Sequence, residues 1–429
     1  MSNQSKQWGA IVIMIALFAM IAFVTNLCTP MAGIIKSQGE ISNVLAQIGN
    51  YGNFVAYLVM GIPAGMLIAK FGYKKTALIG LIVGIIGILI QWCSGQLDAK
   101  GDLGLVFGVY LVGAFISGFC MCILNCVVNP MLNLLGGGGN RGNQLIQIGG
   151  VFNSTAAVCC YILMGALISE GVKPKISDAT LALMIALAIF VIAFIVMFFT
   201  KIDEPKQAPV QLSLIKGAMS YRHFALGALG IFLYMGIEVG VPSFVNLYLL
   251  DDMGIPAATV GMIVAVYWLM MLIGRLVGAS IGGLVSSRTM VTTVSTVTIL
   301  LVLFGMFAPT DILVSFPGVD WGQLTVKWTD IPIGVFAFLL VGLCTSVMWG
   351  AIFNLAVEGL GKYTAIASGI FMTMVFGCAV MVLIQAQVAD LCGYISSFWV
   401  VIFCAAYLLF YALVGSRVTK SADDSIAKD

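Results

Sequence analysis

Charge is what this sequence has least of. Asp, Glu, Lys and Arg together make up 9% of its 429 residues, and His223 is its one histidine. A soluble domain carries about 25% charged residues, so a surface this poor in charge cannot face water. A single histidine argues against a histidine-built metal cage, and no nucleophile and base are spaced for hydrolysis. The glycine-rich GGGGNRGN segment (136–143) lacks the Lys-Ser/Thr that a phosphate loop needs. A net charge of +2 offers no basic surface to nucleic acid. No cofactor or metal is expected, and the chain does not read as an enzyme.

Apolar residues, by contrast, make up 61% of the chain. They fall into runs near 9–35, 44–69, 76–95, 103–135, 144–168, 180–200, 224–250, 258–285, 289–309, 331–358, 365–390 and 394–416. A hydrocarbon core of about 30 Å needs about 20 helical residues, which each run supplies. Membrane barrels show short alternating segments instead, so strands are set aside and the fold class is an all-α membrane bundle of twelve helices. The first run is too long for a cleaved signal and carries Asn26 and Thr29, so it stays in the mature protein. The 11 cysteines, among them Cys120, Cys122, Cys126, Cys159 and Cys160, lie mostly inside these runs and read as small buried hydrophobes.

Basic residues set the orientation. Lys6, Lys70, Lys74, Lys75, Arg141, Lys201, Lys206, Lys216, Arg222, Arg288, Lys362, Arg417, Lys420 and Lys428 share one face; Lys36, Lys100, Lys173, Lys175 and Lys327 share the other with Asp98, Asp102, Asp251, Asp252, Asp311 and Asp320. Both termini are therefore expected in the cytoplasm, with the chain integral to a bacterial inner membrane. The polar segment KIDEPKQAPVQLSLIKGAMSYR (201–222) divides the runs into six and six, giving bundles over 1–200 and 223–416 and a tail over 417–429. Gly61 and Gly65 late in the second run recur as Gly274 and Gly278 late in the eighth, about half a chain away. Glycines four apart let a neighbouring helix come close.

Twelve helices in two repeated halves resemble the major facilitator superfamily, and GMLIAKFGYKKT (65–76) resembles its basic loop after helix two, with Ala69 near the usual acidic slot. The polar residues inside the runs carry the functional reading. Asn43, Gln47, Asn50 and Tyr57 share a face of the second helix, and Asn125, Asn129 and Asn133 one of the fourth. Gln144, Gln147, Asn153, Asn246, Asn354 and Gln385 add to them. Such amides either bond neighbouring helices, at about 0.6 kcal/mol each, or line a cavity. As a set they suit a neutral, hydroxyl-rich ligand, because an amide both donates and accepts. Trp268, about 15 Å along its helix, and Trp349 are candidates to pack under a sugar ring.

Glu238 lies about 21 Å along the seventh helix, close to the membrane centre, where acids mark an ion or substrate path. It is the candidate proton carrier, against a permanent helix–helix hydrogen bond. Arg275 and Glu358 either gate the inner side or snorkel and cap helix ends.

Three segments resemble the fucose/galactose/glucose symporters, nearer the hexose branch: NCVVNPMLNLLG (125–136) with VFNS (151–154), YMGIEVGVPSFVNLYL (234–249) with IGRLVG (273–278), and SVMWGAIFNLAVEGLGKYT (346–364). The resemblance departs where Cys28 and Thr29 occupy the family's Asn-Asp slots, at Gly150 in a Gln slot, and at Gly350 in a Pro slot. It implies a proton-coupled monosaccharide carrier, working as a monomer, with Asn50, Asn125, Asn129, Gln147, Asn246 and Asn354 on hydroxyls, Trp268 or Trp349 under the ring, and Glu238 on the proton. Sodium coupling, uncoupled flux and a non-transporting nutrient sensor are the alternatives.

Overall fold

The computed structural model describes residues 2–37, 41–97, 102–135, 139–167, 176–200, 202, 213–281, 285–320, 325–360 and 363–419. Eleven helical stretches among them are long and apolar enough to cross a membrane. One of these, Ile48–Leu97, has 50 residues, about 75 Å of helix and far more than a bilayer holds. It turns back at Gly72, whose φ of 81° and ψ of 172° are open to glycine and costly for a side chain. Counted as two, it brings the spans to the expected twelve.

The spans are α1 (Trp8–Lys36), α2 (48–71), α3 (73–97), α4 (Leu103–Leu135), α5 (Gly139–Leu167), α6 (Thr180–Phe199), α7 (Arg222–Asp252), α8 (Ala257–Ile281), α9 (Ser287–Phe307), α10 (Ile333–Val357), α11 (Ile366–Cys392) and α12 (Tyr394–Gly415). An even count puts Trp8 and Gly415 at one end, the terminal face; the opposite end is the distal face. α6 and α9 form part of the perimeter, with Ile192, Phe199, Leu300 and Phe307 exposed where lipid would meet them. All eleven cysteines are free; Cys93, Cys159 and Cys392 are exposed, so the buried reading does not hold for these three.

The two halves share a packing device. A Cβ on Gly118 of α4 would collide with the Asn53 carbonyl of α2, and a Cβ on Gly342 of α10 with the Tyr267 carbonyl of α8. Helix backbones meet at both places, as expected where small residues drive association in lipid. Three of the four glycines singled out in the sequence also sit at close approaches, Gly61 against Thr373 of α11, and Gly274 and Gly278 against Ser346 and Val347 of α10.

One element lies outside the helical bundle and was not foreseen. β1 (Leu313–Asp320) and β2 (Thr325–Pro332) pair antiparallel from Leu313↔Pro332 to Asp320↔Thr325 in the distal α9–α10 connection. The argument against strands holds only in hydrocarbon; outside it, the Val-, Phe-, Thr- and Trp-containing LVSFPGVD and TVKWTDIP segments follow their β preference.

Candidate functional site

Proline shapes the centre of the molecule. Pro30 cannot donate to the Asn26 carbonyl, and α1 breaks at Leu27 between Ser2–Asn26 and Cys28–Lys36. Pro242 likewise cannot donate to the Glu238 carbonyl within α7. The two prolines lie about half a chain apart, so Asn26 and Glu238 are counterparts in the two halves. Both line a central cavity of about 210 Å³, together with Thr25, Thr29, Tyr57, Asn125, Asn129, Asn153, Trp268, Arg275 and Trp349. Pockets for drug-sized ligands run from about 300 Å³, so this one suits something smaller.

Its wall is largely uncharged. Asn125 Nδ2 donates to the Tyr57 hydroxyl at 2.9 Å, Asn129 Nδ2 to the Asn125 carbonyl at 3.2 Å, and Asn153 Nδ2 to the Phe18 carbonyl at 3.0 Å. Trp349 meets Tyr234 at 6.1 Å and Phe371 at 5.5 Å, both edge to face. The charged pair is Glu238, beside the Tyr234 hydroxyl, and Arg275, which attracts it electrostatically. Arg275 spans from α8 to α5, donating to the Gly150 carbonyl and to Asn153 Oδ1 at 3.3 Å.

Six of the sequence-predicted residues thus meet at the cavity: Asn125, Asn129, Trp268, Trp349, Glu238 and Arg275. Four stand elsewhere. Asn50 is buried on α2 against Gln47. Asn246 is buried where α7 packs against Gly33 of α1. Asn354 is exposed one turn beyond Gly350. Glu358 is exposed at the C-cap of α10, where its carbonyl lies 2.8 Å from His223 Nε2. Arg275 thus reaches α5, while Glu358 stands at the end of α10. The side chains of Gln147, Gln144 and Asn133 lie outside the described residues. The sequence reading placed Tyr57 and Asn153 in the polar set without giving them a contact, and it left Thr25, Asn26 and Thr29 out of the site; the two half-chain-spaced prolines were the signal for these three.

On the distal side the halves are sealed. Thr29 Oγ1 bonds Ser243 Oγ at 3.0 Å. Asp390 of α11 accepts the backbone N–H groups of Asn43 at 2.8 Å and Val44 at 3.2 Å, capping the short helix Asn43–Ala46 from the other half. The Tyr394 hydroxyl shares its hydrogen between Asn43 Oδ1 (2.8 Å) and Asp251 Oδ2 (2.7 Å), and Lys36 Nζ lies 3.7 Å from Asp251.

A cavity at the centre of twelve apolar helices, sealed at one end, defines a membrane carrier fold, and the comparisons agree. The major facilitator superfamily model matches residues 9–383, and the chain belongs to that superfamily as an integral membrane protein. It is 28% identical over 425 residues to the glucose/galactose transporter of Brucella abortus biovar 1 (strain 9-941), covering 97% of this chain and 96% of that protein. To the L-fucose-proton symporter of Escherichia coli (strain K12) it is 22% identical over 432 residues, covering 94% and 92%. The crystal structure of the transporter FucP in its outward conformation superposes with a TM-score of 0.69 at 19% identity, covering 95% of this chain and 99% of that one. The resemblance to the fucose/galactose/glucose symporters is borne out.

Proposed function

We propose that this protein carries a monosaccharide across the bacterial inner membrane by alternating access, with the terminal face in the cytoplasm, and that a proton on Glu238 drives accumulation. One observation supports the reading above all: a small cavity walled by neutral amides and hydroxyls, with two indoles and a single carboxylate at mid-membrane. Neutral hydrogen-bonding groups fit sugar hydroxyls, and the similarity to transporters named for glucose, galactose and fucose points the same way. The two six-helix halves, 1–200 and 223–416 joined by 201–222, would rock about the cavity while working as a monomer.

Glu238 and Arg275 both belong to the second half, and Arg275 reaches α5 of the first, so a proton or a ligand on Glu238 can change how firmly Arg275 holds the two halves together. A ligand shifts such an equilibrium only by its differential affinity for the two states. In proteoliposomes, Glu238→Gln should abolish accumulation under an imposed proton gradient while preserving counterflow of labelled glucose, galactose or fucose. Unchanged accumulation removes Glu238 from coupling. Sodium coupling is the second reading, favoured by Cys28 and Thr29, which leave no acid near the break in α1; uptake that collapses when choline replaces sodium would establish it.

A further inference from the structure

The amide donors of the cavity wall are largely engaged. Those of Asn125, Asn129 and Asn153 go to Tyr57, a helix carbonyl and Phe18. Two other polar groups of the cavity wall are buried and have no hydrogen-bond partner: Trp268 Nε1 and Thr25 Oγ1. Trp268 and Thr25 line the cavity, and the Tyr161 ring packs on Trp268 from outside that lining. Trp268 is 5% exposed and Tyr161 fully buried, while Thr29 is already held by Ser243. Buried indole N–H and hydroxyl groups ordinarily find a partner, so this pair is incomplete as it stands.

The packing of the Trp268 ring narrows what completes it. Tyr161 stacks on the indole at 6.3 Å and 28°, and Tyr267 stands against it at 5.4 Å and 84°. One face and one side of the ring are taken by protein, which leaves the indole poorly placed as a platform for a pyranose and its N–H unmet. A group in the cavity that accepts from the indole N–H and can also donate to Thr25 Oγ1 completes both, and a hydroxyl does so.

Building on the carrier reading, we propose that Trp268 and Thr25 form a hydroxyl-reading subsite, in which Trp268, backed by Tyr161, selects the sugar through its N–H and Trp349 is left as the ring platform. Sites built to bond one hydroxyl discriminate strongly against the analogue lacking it, because the buried groups are then unpaired.

The test is counterflow in proteoliposomes carrying the full chain, competed by a hexose and its series of monodeoxy analogues. The wild type should bind one analogue at least about tenfold more weakly than the parent, a difference of about 1.4 kcal/mol. Trp268→Phe, which keeps a ring and removes the donor, should weaken the parent about as much and bind that analogue equally well. Thr25→Val should narrow the same gap, and it serves alone if Trp268→Phe is not recovered folded from the membrane. A gap unchanged in these variants, or a wild type that treats all analogues alike, overturns the subsite while leaving the carrier intact. No counterflow with any hexose would sink the carrier reading itself, and the subsite with it.

Discussion

The distal and terminal sides of the cavity are closed by different means. On the distal side the helices of the two halves touch backbone to backbone. A Cβ on Gly165 of α5 would lie 2.9 Å from the Ala258 carbonyl of α8, and one on Gly261 of α8 would lie 2.6 Å from the Tyr161 carbonyl of α5. Toward the terminal side the halves meet once by backbone, at Gly61 of α2 against Thr373 of α11, but a Cβ on Gly350, in the cavity wall, or on Gly369 of α11 meets nothing within 4 Å. What spans α8 and α5 at the cavity there is the Arg275 side chain. The molecule is thus thickly closed distally and thinly closed toward its termini, so the next opening is expected on the terminal side.

The thick closure is also the more strained in polar terms. Gln47 Nε2, Asn50 Oδ1, Tyr51 Oη, Asn53 Oδ1 and Asn246 Nδ2 are buried there without partners. A buried unpaired group costs about 1–3 kcal/mol. Residues that prefer water have been packed dry, as expected of a path that is wet in the opposite state. The Asp390, Tyr394 and Lys36 contacts at the rim offset that cost.

Four substitutions test this contrast. The largest effect is expected from Gly165→Val, whose side chain runs into α8. Overpacking costs about 1–3 kcal/mol, which shifts the closed-to-open ratio about 5- to 150-fold. Net uptake should fail, and a cysteine introduced by Ser243→Cys should react with an impermeant maleimide from the distal side; a label-resistant cysteine would refute the seal. Asp390→Ala comes next, because hydrogen bonds to a charged group contribute about 1.5–3 kcal/mol; the same labelling should rise about tenfold or more. Lys36→Ala should matter less, under about 1 kcal/mol, since its partner Asp251 is 44% exposed. That small effect should vanish in high salt. Gly350→Ala should leave labelling and uptake near wild type; a large loss would show that the terminal side is not the open one.

Much of the fold was legible because lipid imposes long apolar runs, and their ends fell close to the observed ones. The α9–α10 hairpin was not, because it lies outside hydrocarbon, where the rule that excluded strands has no force. In the site, Asn125, Asn129 and Glu238 could be read from their place on helices that face the centre. Asn50 and Asn246 carry the same amide, yet they lie nearer the distal ends of their helices, in the sealed seam, and which of several polar faces meets a cavity depends on how the halves are tilted. Arg275 was recognised as unusual, but its partners Gly150 and Asn153 sit on α5 of the other half, a pairing no single-helix pattern reveals. Trp268 and Trp349 stood as alternative platforms, since the sequence cannot say that Tyr161 and Tyr267 pack against the Trp268 ring.

Asp390 grips main-chain amides, and amides are common to nearly every residue type. The hold on position 44 is therefore indifferent to which side chain evolution places there, with proline the lone exception for want of a hydrogen on nitrogen. The rim can drift in sequence while its fastening stays the same, and a search for the lock among variable surface letters would pass over it.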